Sequence, residues 1–272
     1  IVIGGGPAGM MSAGRASELG AKVLLLEKNE KLGKKLLITG GGRCNVTNAE
    51  FDNRKLLERF RDDGKYLFSP FAKWNAKDTL DFFHKRKMET KIENENRVFP
   101  LNDKAQSVWD VMVNYLKENG VEVRSNAPVQ DLLVEDSKIS GVILKDGNII
   151  HAKSVIVATG GTSHPETGST GDAFVWLEKI GHKIIKPNPS LVPLATKEKW
   201  VKDISGVSLT NIKLNIYLDG IKQKIANNKG LQSKIPQKIL FTHFGISGPS
   251  VLNISKQIGE MLSYGEVVVA ID

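Results

Sequence analysis

The chain opens on the stretch Ile1–Gly9, which has the sequence IVIGGGPAG. Its first three residues are apolar and predict a buried strand, and the glycines that follow match the spacing G-x-G-x-x-G. Gly4 permits a tight turn out of the strand, Gly6 lets a pyrophosphate approach the backbone, and Gly9 lets the following helix pack closely on the sheet. The stretch therefore predicts the start of a dinucleotide-binding βαβ unit.

The residues that follow the glycines support this interpretation. A helix pattern rich in small residues runs to Gly20, and the apolar strand pattern Val23–Glu27 comes next. Its last residue, Glu27, stands where a carboxylate accepts hydrogen bonds from a ribose diol. Three glycines alone also occur in ordinary turns, so the prediction of nucleotide binding depends on this strand–helix–strand context.

The length of 272 residues exceeds the usual size of one domain, so we expect two. The sequence Pro187-Asn188-Pro189 is the strongest boundary signal in the chain. It predicts an α/β domain over residues 1–187 and a partial, β-rich domain over residues 188–272.

The net charge of +8 and the pI near 9.4 raise the alternative of a nucleic-acid partner. Basic and acidic residues alternate along the chain instead of forming a basic stripe, which disfavours that partner. The one cysteine, Cys44, excludes an intramolecular disulfide and a cysteine-based zinc site and predicts a reducing, cytoplasmic compartment. Apolar runs stay well short of the ~20 residues of a membrane span, so we expect none.

A second glycine-rich segment, Thr39–Asn45, follows the βαβ unit. Lys34, Lys35 and Arg43 supply positive charge around it, and exposed glycine amides suit a bound anion. The alternative interpretation, an exposed glycine loop without a ligand, stays open on these residues alone.

Periodicity and capping residues predict further elements between the motifs. Asn75 is placed to cap one helix, and Asp103 is placed to cap another that runs to Asn119. Two strand patterns that predict a β-meander follow, at Val129–Val134 and Ile139–Leu144.

The apolar stretch Ser154–Val157 leads into the turn Ala158–Gly161 and is typical of a buried parallel strand. Ligands bind at the carboxyl ends of such strands. One βαβ fingerprint followed by a later strand that ends in Ala-Thr-Gly is the layout of glutathione-reductase-like folds. We therefore predict an α/β fold with a Rossmann-type FAD-binding domain, followed by a mainly β second domain.

Four further stretches resemble signatures of one flavoprotein family: Thr39–Asn48, Arg97–Pro100, Thr167–Asp172 and Phe241–Pro249. That family includes aminoacetone oxidase and bile-acid enoyl reductases, among predicted NAD(P)- and FAD-dependent oxidoreductases. The resemblance covers essentially the whole chain. Family members continue through the rest of the inserted domain and back into the FAD domain, so the resemblance implies a truncated chain.

The resemblance implies FAD, with its ADP half on the first glycine loop and its ribityl and isoalloxazine parts along the second. It also implies a main-chain contact from Val129, the first residue of a strand, to the adenine. The cofactor-binding residues predicted from the motifs and the resemblance together are Gly4, Gly5, Gly6, Pro7, Ala8, Gly9, Glu27, Lys28, Lys34, Lys35, Thr39, Gly40, Gly41, Gly42, Arg43, Cys44, Asn45, Val129, Ala158, Thr159, Gly160 and Gly161.

Flavin chemistry needs no protein nucleophile, because the cofactor accepts or donates the hydride and the protein orients a small organic substrate. His243 is a weak catalytic candidate for proton relay, against the alternative of a hydrogen-bonded structural histidine. We predict no metal site, since no metal-ligand spacing occurs.

The direction of electron flow stays open on the sequence. NAD(P)H as donor would make the protein a reductase of an activated double bond, and oxygen as acceptor would make it an oxidase. Two other classes also stay open: a FAD-containing protein that acts on nucleic acid such as tRNA, and a flavin-binding protein without turnover.

Overall fold

The computed structural model describes residues 1–223 and 238–272, and for Arg61 and Asp62 it describes the backbone alone. The chain forms two compact units, Ile1–Ile185 and Lys186–Asp272. The part of the predicted second domain at residues 224–237 lies outside the described residues.

The first unit is built around a parallel sheet in the strand order β10-β1-β2-β6. Val2 pairs with Ile156 on one side and with Leu25 on the other, so β1 is central and its carboxyl end lies beside those of β2 and β10. The strands of this unit are β1 Val2–Ile3, β2 Leu24–Leu26, β3 Thr47–Asn48, β4 Thr90–Glu93, β5 Arg97–Pro100, β6 Glu122–Arg124, β7 Val129–Glu135, β8 Lys138–Leu144, β9 Ile149–His151 and β10 Ile156–Val157.

Helices and two antiparallel sheets, β3-β5-β4 and the meander β7-β8-β9, surround this sheet. The helices of the first unit are α1 Pro7–Glu18, α2 Lys34–Ile38, α3 Asn53–Glu58, α4 Phe68–Lys73, α5 Ala76–Lys85, α6 Ala105–Glu118 and α7 Asp172–Lys179. Short 3₁₀ helices lie at Thr39–Gly42, Arg61–Leu67, Asn94–Asn96 and Pro165–Thr167.

The core has one layer on each face of the parallel sheet, because successive strand residues point to opposite faces. Val2 and Leu25 belong to a cluster that also contains Tyr115 of α6. Their neighbours Ile3 and Leu26 belong to the cluster on the other face, which includes the buried residues of the meander and α7. This alternation fixes the sheet as the middle layer of the unit.

Two of the predicted helix caps have different outcomes. The cap of α5 is confirmed, since Asn75 accepts hydrogen bonds from the backbone N–H groups of the first turn in a complete capping box. The cap predicted from Asp103 is wrong: α6 begins after Lys104 without a side-chain cap. Asp103 has a positive φ of 57°, and its carboxylate binds Arg43 and Lys91 instead.

The second unit is mainly β, as the sequence predicts. Its sheets have the orders β11-β16-β15-β12 and β14-β13-β17, and Ile239, Phe241 and Val251 are among the buried residues of its core. Its elements are β11 Leu194–Ala195, a 3₁₀ helix Lys199–Ile204, β12 Ser208–Thr210, β13 Leu214–Leu218, β14 Ile221–Gln223, β15 Lys238–Thr242, β16 Gly245–Ser247, α8 Pro249–Met261 and β17 Val267–Ile271. Among the described residues of either unit, no helix is long and apolar enough to cross a membrane.

Candidate functional site

The first glycine loop joins β1 to α1 at the carboxyl edge of the parallel sheet. Gly4 has a φ of +104°, which favours glycine, and its N–H donates to the carbonyl of Leu26 at 2.8 Å. A Cβ built on Gly9 would lie 1.7 Å from the Gly4 carbonyl oxygen, whereas one built on Gly6 would meet no atom within 4 Å. The loop therefore packs tightly at Gly9 and is open at Gly6.

Glu27 follows β2 and is buried at 7% exposure. Its Oε2 accepts a hydrogen bond from the Gly5 N–H at 2.6 Å, and its Oε1 accepts from the backbone N–H and the Nδ2 of Asn29, both at 2.7 Å. A carboxylate offers about four acceptor positions, so these three hydrogen bonds leave about one of them available.

These residues line a pocket of about 240 Å³ at the carboxyl ends of β1, β2 and β10. The pocket brings together many of the residues predicted from the sequence as cofactor-binding. Those that line it are Gly4, Gly6, Pro7, Ala8, Glu27, Lys28, Lys34, Lys35, Val129, Ala158, Thr159 and Gly160. Its position agrees with the rule that ligands of open α/β sheets bind at this edge.

Lysines on one side of the pocket contact the loop 163–172 on the other. Lys28 Nζ donates to Thr170 Oγ1 and to Asp172 Oδ2, both at 2.7 Å. Lys35 Nζ donates to the carbonyl of Ser163 at 2.5 Å and to Ser169 Oγ at 2.6 Å. Two of the lysines predicted to bind the cofactor, Lys28 and Lys35, therefore hold this loop at the pocket.

Asp172 stands at the start of α7 and lines the pocket. Burial by itself would raise the pKa of its carboxyl. The hydrogen bonds from Lys28 and Thr170 and the charge of Lys28 outweigh burial, so the pKa of Asp172 lies below its ordinary value. Asp172 is therefore ionised at neutral pH and compensates the charge of Lys28.

The second glycine loop, Thr39–Asn45, lies next to a second, apolar pocket of about 400 Å³. Pro7 and Lys35 line both pockets, so the two adjoin near the N-terminus of α1. The second pocket is lined by Pro7, Met11, Lys35, Leu36, Thr39, Gly40, Cys44, Asn45, Val46, Trp74, Thr79, Phe82, Phe83, Val108 and Met112. Burial raises the pKa of the Cys44 thiol, and a hydrogen bond with Thr39 offsets this only in part.

Other predicted residues stand apart from these two pockets. Gly5, Gly9, Gly41, Gly42, Arg43 and Gly161 line neither of them. His243 belongs to the second unit, where it is exposed in the turn between β15 and β16 and its ring packs edge-on against Phe244 at 4.9 Å. Its catalytic role stays a prediction.

Several pocket residues escaped the sequence-based selection. Asn29 follows the acid of β2 and contributes to the pocket wall, and its Nδ2 also donates to the carbonyl of Thr167 at 3.1 Å. Thr167, Gly168, Ser169 and Asp172 come from a stretch that the resemblance had singled out without assigning it a place. The sequence motif therefore marked these residues as notable. It did not show that their loop lies beside the first glycine loop at the pocket.

No group of three or more His, Cys, Asp or Glu side chains suited to a metal ion occurs within the described residues. A parallel sheet, a glycine loop and an acid after the second strand together define a Rossmann-type FAD-binding fold. A solved flavocytochrome c3 fumarate reductase in its open conformation shares this fold, with a TM-score of 0.57 and 21% identity over 77% of this chain and 46% of that chain.

Residues 1–259 match the family described as HI0933-like protein Rossmann domain, and the chain belongs to this family. The 3-dehydro-bile acid delta(4,6)-reductase of Clostridium scindens is 31% identical over 100% of this chain and 63% of that protein. The ribosomal RNA dihydrouridine synthase of Escherichia coli K12 is 28% identical over 97% of this chain and 62% of that protein. The chain thus spans less than two thirds of the length of these relatives.

Proposed function

We propose that the protein is a FAD-dependent oxidoreductase. The domain predicted over residues 1–187 would bind the dinucleotide. The observation that carries this proposal is the pocket at the carboxyl ends of β1, β2 and β10, where the glycine loop, an acid and cationic side chains meet. Residues 188–272 would form the inserted, mainly β domain.

The residues present fit an FAD molecule in their chemistry and shape. Gly6 leaves open space where a pyrophosphate would approach, and the N-terminus of α1 supplies backbone N–H groups and a partial positive charge. Glu27 retains acceptor capacity for a ribose hydroxyl, and Val129 lines the pocket where the adenine would lie.

Lys35, which donates only to uncharged oxygens of the loop 163–172 in these contacts, would balance phosphate charge. Lys28, paired with Asp172, would hold that loop at the cofactor. The adjoining apolar pocket, beside Gly40, Cys44 and Asn45, would accept the flavin end of the cofactor. When bound, FAD supplies the hydride-accepting and hydride-donating ring, while the protein side chains bind, orient and exclude water.

The relatives favour the reductive direction over the oxidase alternative. One is named a reductase, and another is named a dihydrouridine synthase, whose product is uridine with two added hydrogens. We therefore propose that the protein reduces a small organic substrate with an activated carbon–carbon double bond. NAD(P)H would be the electron donor.

The test is an anaerobic titration of the purified protein with NADH and NADPH, followed by the visible absorption of the flavin. We expect stoichiometric FAD after reconstitution and bleaching by one of the two nucleotides. A protein that binds FAD without bleaching by either would contradict the reductase proposal and favour the oxidase. A protein that cannot be reconstituted with FAD would contradict the cofactor assignment itself.

RNA is a second candidate substrate, and the observation that favours it is the similarity to the ribosomal RNA dihydrouridine synthases, including one of Haemophilus influenzae at 29% identity. The net charge of +8 agrees with an RNA partner, although basic and acidic residues alternate in sequence. Mass spectrometry of ribosomal RNA incubated with the reduced protein would detect the gain of two hydrogens on uridine. Absence of that product, together with turnover of a small enone, would exclude RNA.

A further inference from the structure

Arg43 belongs to the second glycine loop, but its side chain leaves the loop and reaches the β3-β5-β4 sheet. Its Nε and Nη2 donate to Asp103 Oδ1 at 2.8 and 2.5 Å, and Nη2 also donates to Glu93 Oε1 at 2.5 Å. The guanidinium lies 4.1 Å from the centroid of the Phe99 ring. Both polar and stacking contacts therefore fix its plane.

The charges around Arg43 compensate one another. Lys91 binds Asp103 through the other carboxylate oxygen and lies 3.6 Å from Glu93. We call Arg43, Lys91, Glu93 and Asp103 the Arg43 cluster, which contains two cations and two anions. The hydrogen bond from Arg43 lowers the pKa of Glu93, and those from Lys91 and Arg43 lower the pKa of Asp103, so both carboxylates are ionised at neutral pH.

The loop that carries Arg43 has an unusual backbone. Gly40, Gly41 and Gly42 have φ values of 56°, 66° and 84°, and Cys44 has a φ of 59°. Glycine adopts left-handed backbone freely, whereas Cys44 does so only at a cost that the surrounding structure offsets. Arg43 is the one residue between these positions, so its anchored side chain restrains the loop at its centre.

The ring on which Arg43 stacks lies beside the part of the loop that lines the apolar pocket. A Cβ built on Gly40 would lie 3.4 Å from Cε1 of Phe99, the ring over which Arg43 lies. Gly40 and Cys44, on either side of Arg43, both line that pocket. A shift of the Arg43 anchor would therefore move the wall on which the flavin end of the cofactor is proposed to rest.

We propose that Arg43 is a positioning residue: through Glu93, Asp103 and Phe99 it fixes the loop Thr39–Asn45, and it makes no direct contact with the cofactor phosphates. This inference rests on the proposed function for the identity of the ligand. It assigns to Glu93 and Asp103, which no motif singles out as binding residues, a role in cofactor affinity.

The test compares FAD dissociation constants of Arg43→Gln, Asp103→Asn and the double variant, measured by quenching of FAD fluorescence. We expect each single variant to weaken FAD binding about tenfold, the scale of one lost charge-assisted hydrogen bond, and the double variant to be no weaker than either. Arg43→Lys should weaken FAD binding as much as Arg43→Gln does. An ammonium group keeps the positive charge but cannot donate two hydrogen bonds in the planar geometry of the guanidinium. Arg124→Gln, which removes an exposed Arg–Glu pair on β6, is the matched control and should bind FAD normally.

A direct contact of Arg43 with the cofactor predicts the opposite pattern. Asp103→Asn would then free a cation for the phosphates and leave FAD affinity unchanged or tighter, and Arg43→Lys would retain affinity. Either result would overturn the proposal. The proposal would also be overturned if the melting temperature fell in all variants while the FAD affinity and the visible circular dichroism of the bound flavin stayed unchanged.

Two further arms keep the outcomes distinguishable. Where Asp103→Asn fails to fold, Glu93→Gln removes the negative charge that Arg43 and Lys91 face, and its bound flavin should show an altered visible circular dichroism spectrum. An unaltered spectrum and affinity in Glu93→Gln would count against the proposal. Failure of the unmodified protein to bind FAD would refute the proposed function, whereas normal binding with unaffected variants would refute this inference alone.

Discussion

The Glu27 carboxylate binds the backbone N–H of Gly5 at 2.6 Å, so the acid after the second strand holds the glycine loop after the first. The same carboxylate accepts two hydrogen bonds from Asn29. Glu27 is thus a structural element of the loop as well as the proposed ribose acceptor.

Glu27→Gln should destabilise the protein and weaken FAD binding together. An amide offers one oxygen, so its NH₂ group would face either Gly5 or Asn29 and leave a buried donor unpaired, at a cost of about 1–3 kcal/mol. Denaturant unfolding and FAD titration measure the two effects. Glu30→Gln, at an exposed position of the same loop, is the control; an equal effect there would refute a specific role of Glu27.

Substitutions at Gly6 and Gly9 should separate ligand binding from folding. Gly6→Ala has an allowed backbone conformation, φ −75° and ψ 179°, and its Cβ meets no protein atom, so the fold should persist while FAD affinity falls. Gly9→Ala would place its Cβ 1.7 Å from the Gly4 carbonyl oxygen and should prevent stable folding. Thermal unfolding and FAD titration of both variants check this, and full FAD affinity in Gly6→Ala would contradict the proposed binding mode.

Gly14→Ala should be destabilising although alanine is the better helix former. A Cβ on Gly14 would lie 2.4 Å from the ring of the buried Tyr115, and overpacking of this kind costs about 1–3 kcal/mol. Gly259 of α8 has open space around it, so Gly259→Ala should stabilise by about 0.5–1 kcal/mol. Chemical unfolding of both variants measures the two changes in the free energy of unfolding. A gain of stability in Gly14→Ala would contradict the close packing of α1 on α6.

Tyr115 should make the protein sensitive to alkali. Burial, with the hydrogen bond from its hydroxyl to Glu18 Oε2 at 2.8 Å, raises its pKa to about 12. Because the pKa of the folded state exceeds the ordinary value near 10, its contribution to stability is complete below about pH 10 and is lost as the pH rises towards 12. Unfolding free energies across this range should therefore fall less steeply in Tyr115→Phe.

Tyr115→Phe should also lose about 1 kcal/mol of stability at neutral pH. Tyr264→Phe is the matched control, since Tyr264 is 81% exposed, and it should leave both the stability and its pH dependence unchanged. Identical alkaline profiles for the unmodified protein and Tyr115→Phe would show that other groups control alkaline unfolding.

Cys44 should react slowly with alkylating reagents at pH 7. Burial raises the pKa of its thiol and shields the sulfur, and only the thiolate is nucleophilic. We expect alkylation of the native protein to be at least about tenfold slower than in guanidinium chloride, where the sulfur is exposed. The chain has one cysteine, so mass spectrometry reads this site alone. Equal rates in both conditions would contradict the buried position of Cys44.

The predictable part of the fold consists of features that neighbouring residues encode. The alternation of Val2 and Ile3 between two cores, the close approach at Gly9 and the Asn75 cap all follow from side-chain size and backbone geometry within a few residues. Asp103 shows the limit of such reasoning. Its position before a helix favours a cap, but Arg43 and Lys91 bind its carboxylate instead, and neither is a sequence neighbour.

The sequence by itself determined the strand–glycine–helix unit, the acid that follows it and the family, because these depend on local spacing that few other folds use. Only the tertiary structure decided what the long cationic side chains contact. Lys28 reaches Asp172 across 144 residues, and Arg43 reaches Asp103 across 60. Such pairs form because the fold brings loops that are distant in sequence close together. A long cationic side chain then forms charge-assisted hydrogen bonds with a carboxylate on the neighbouring loop.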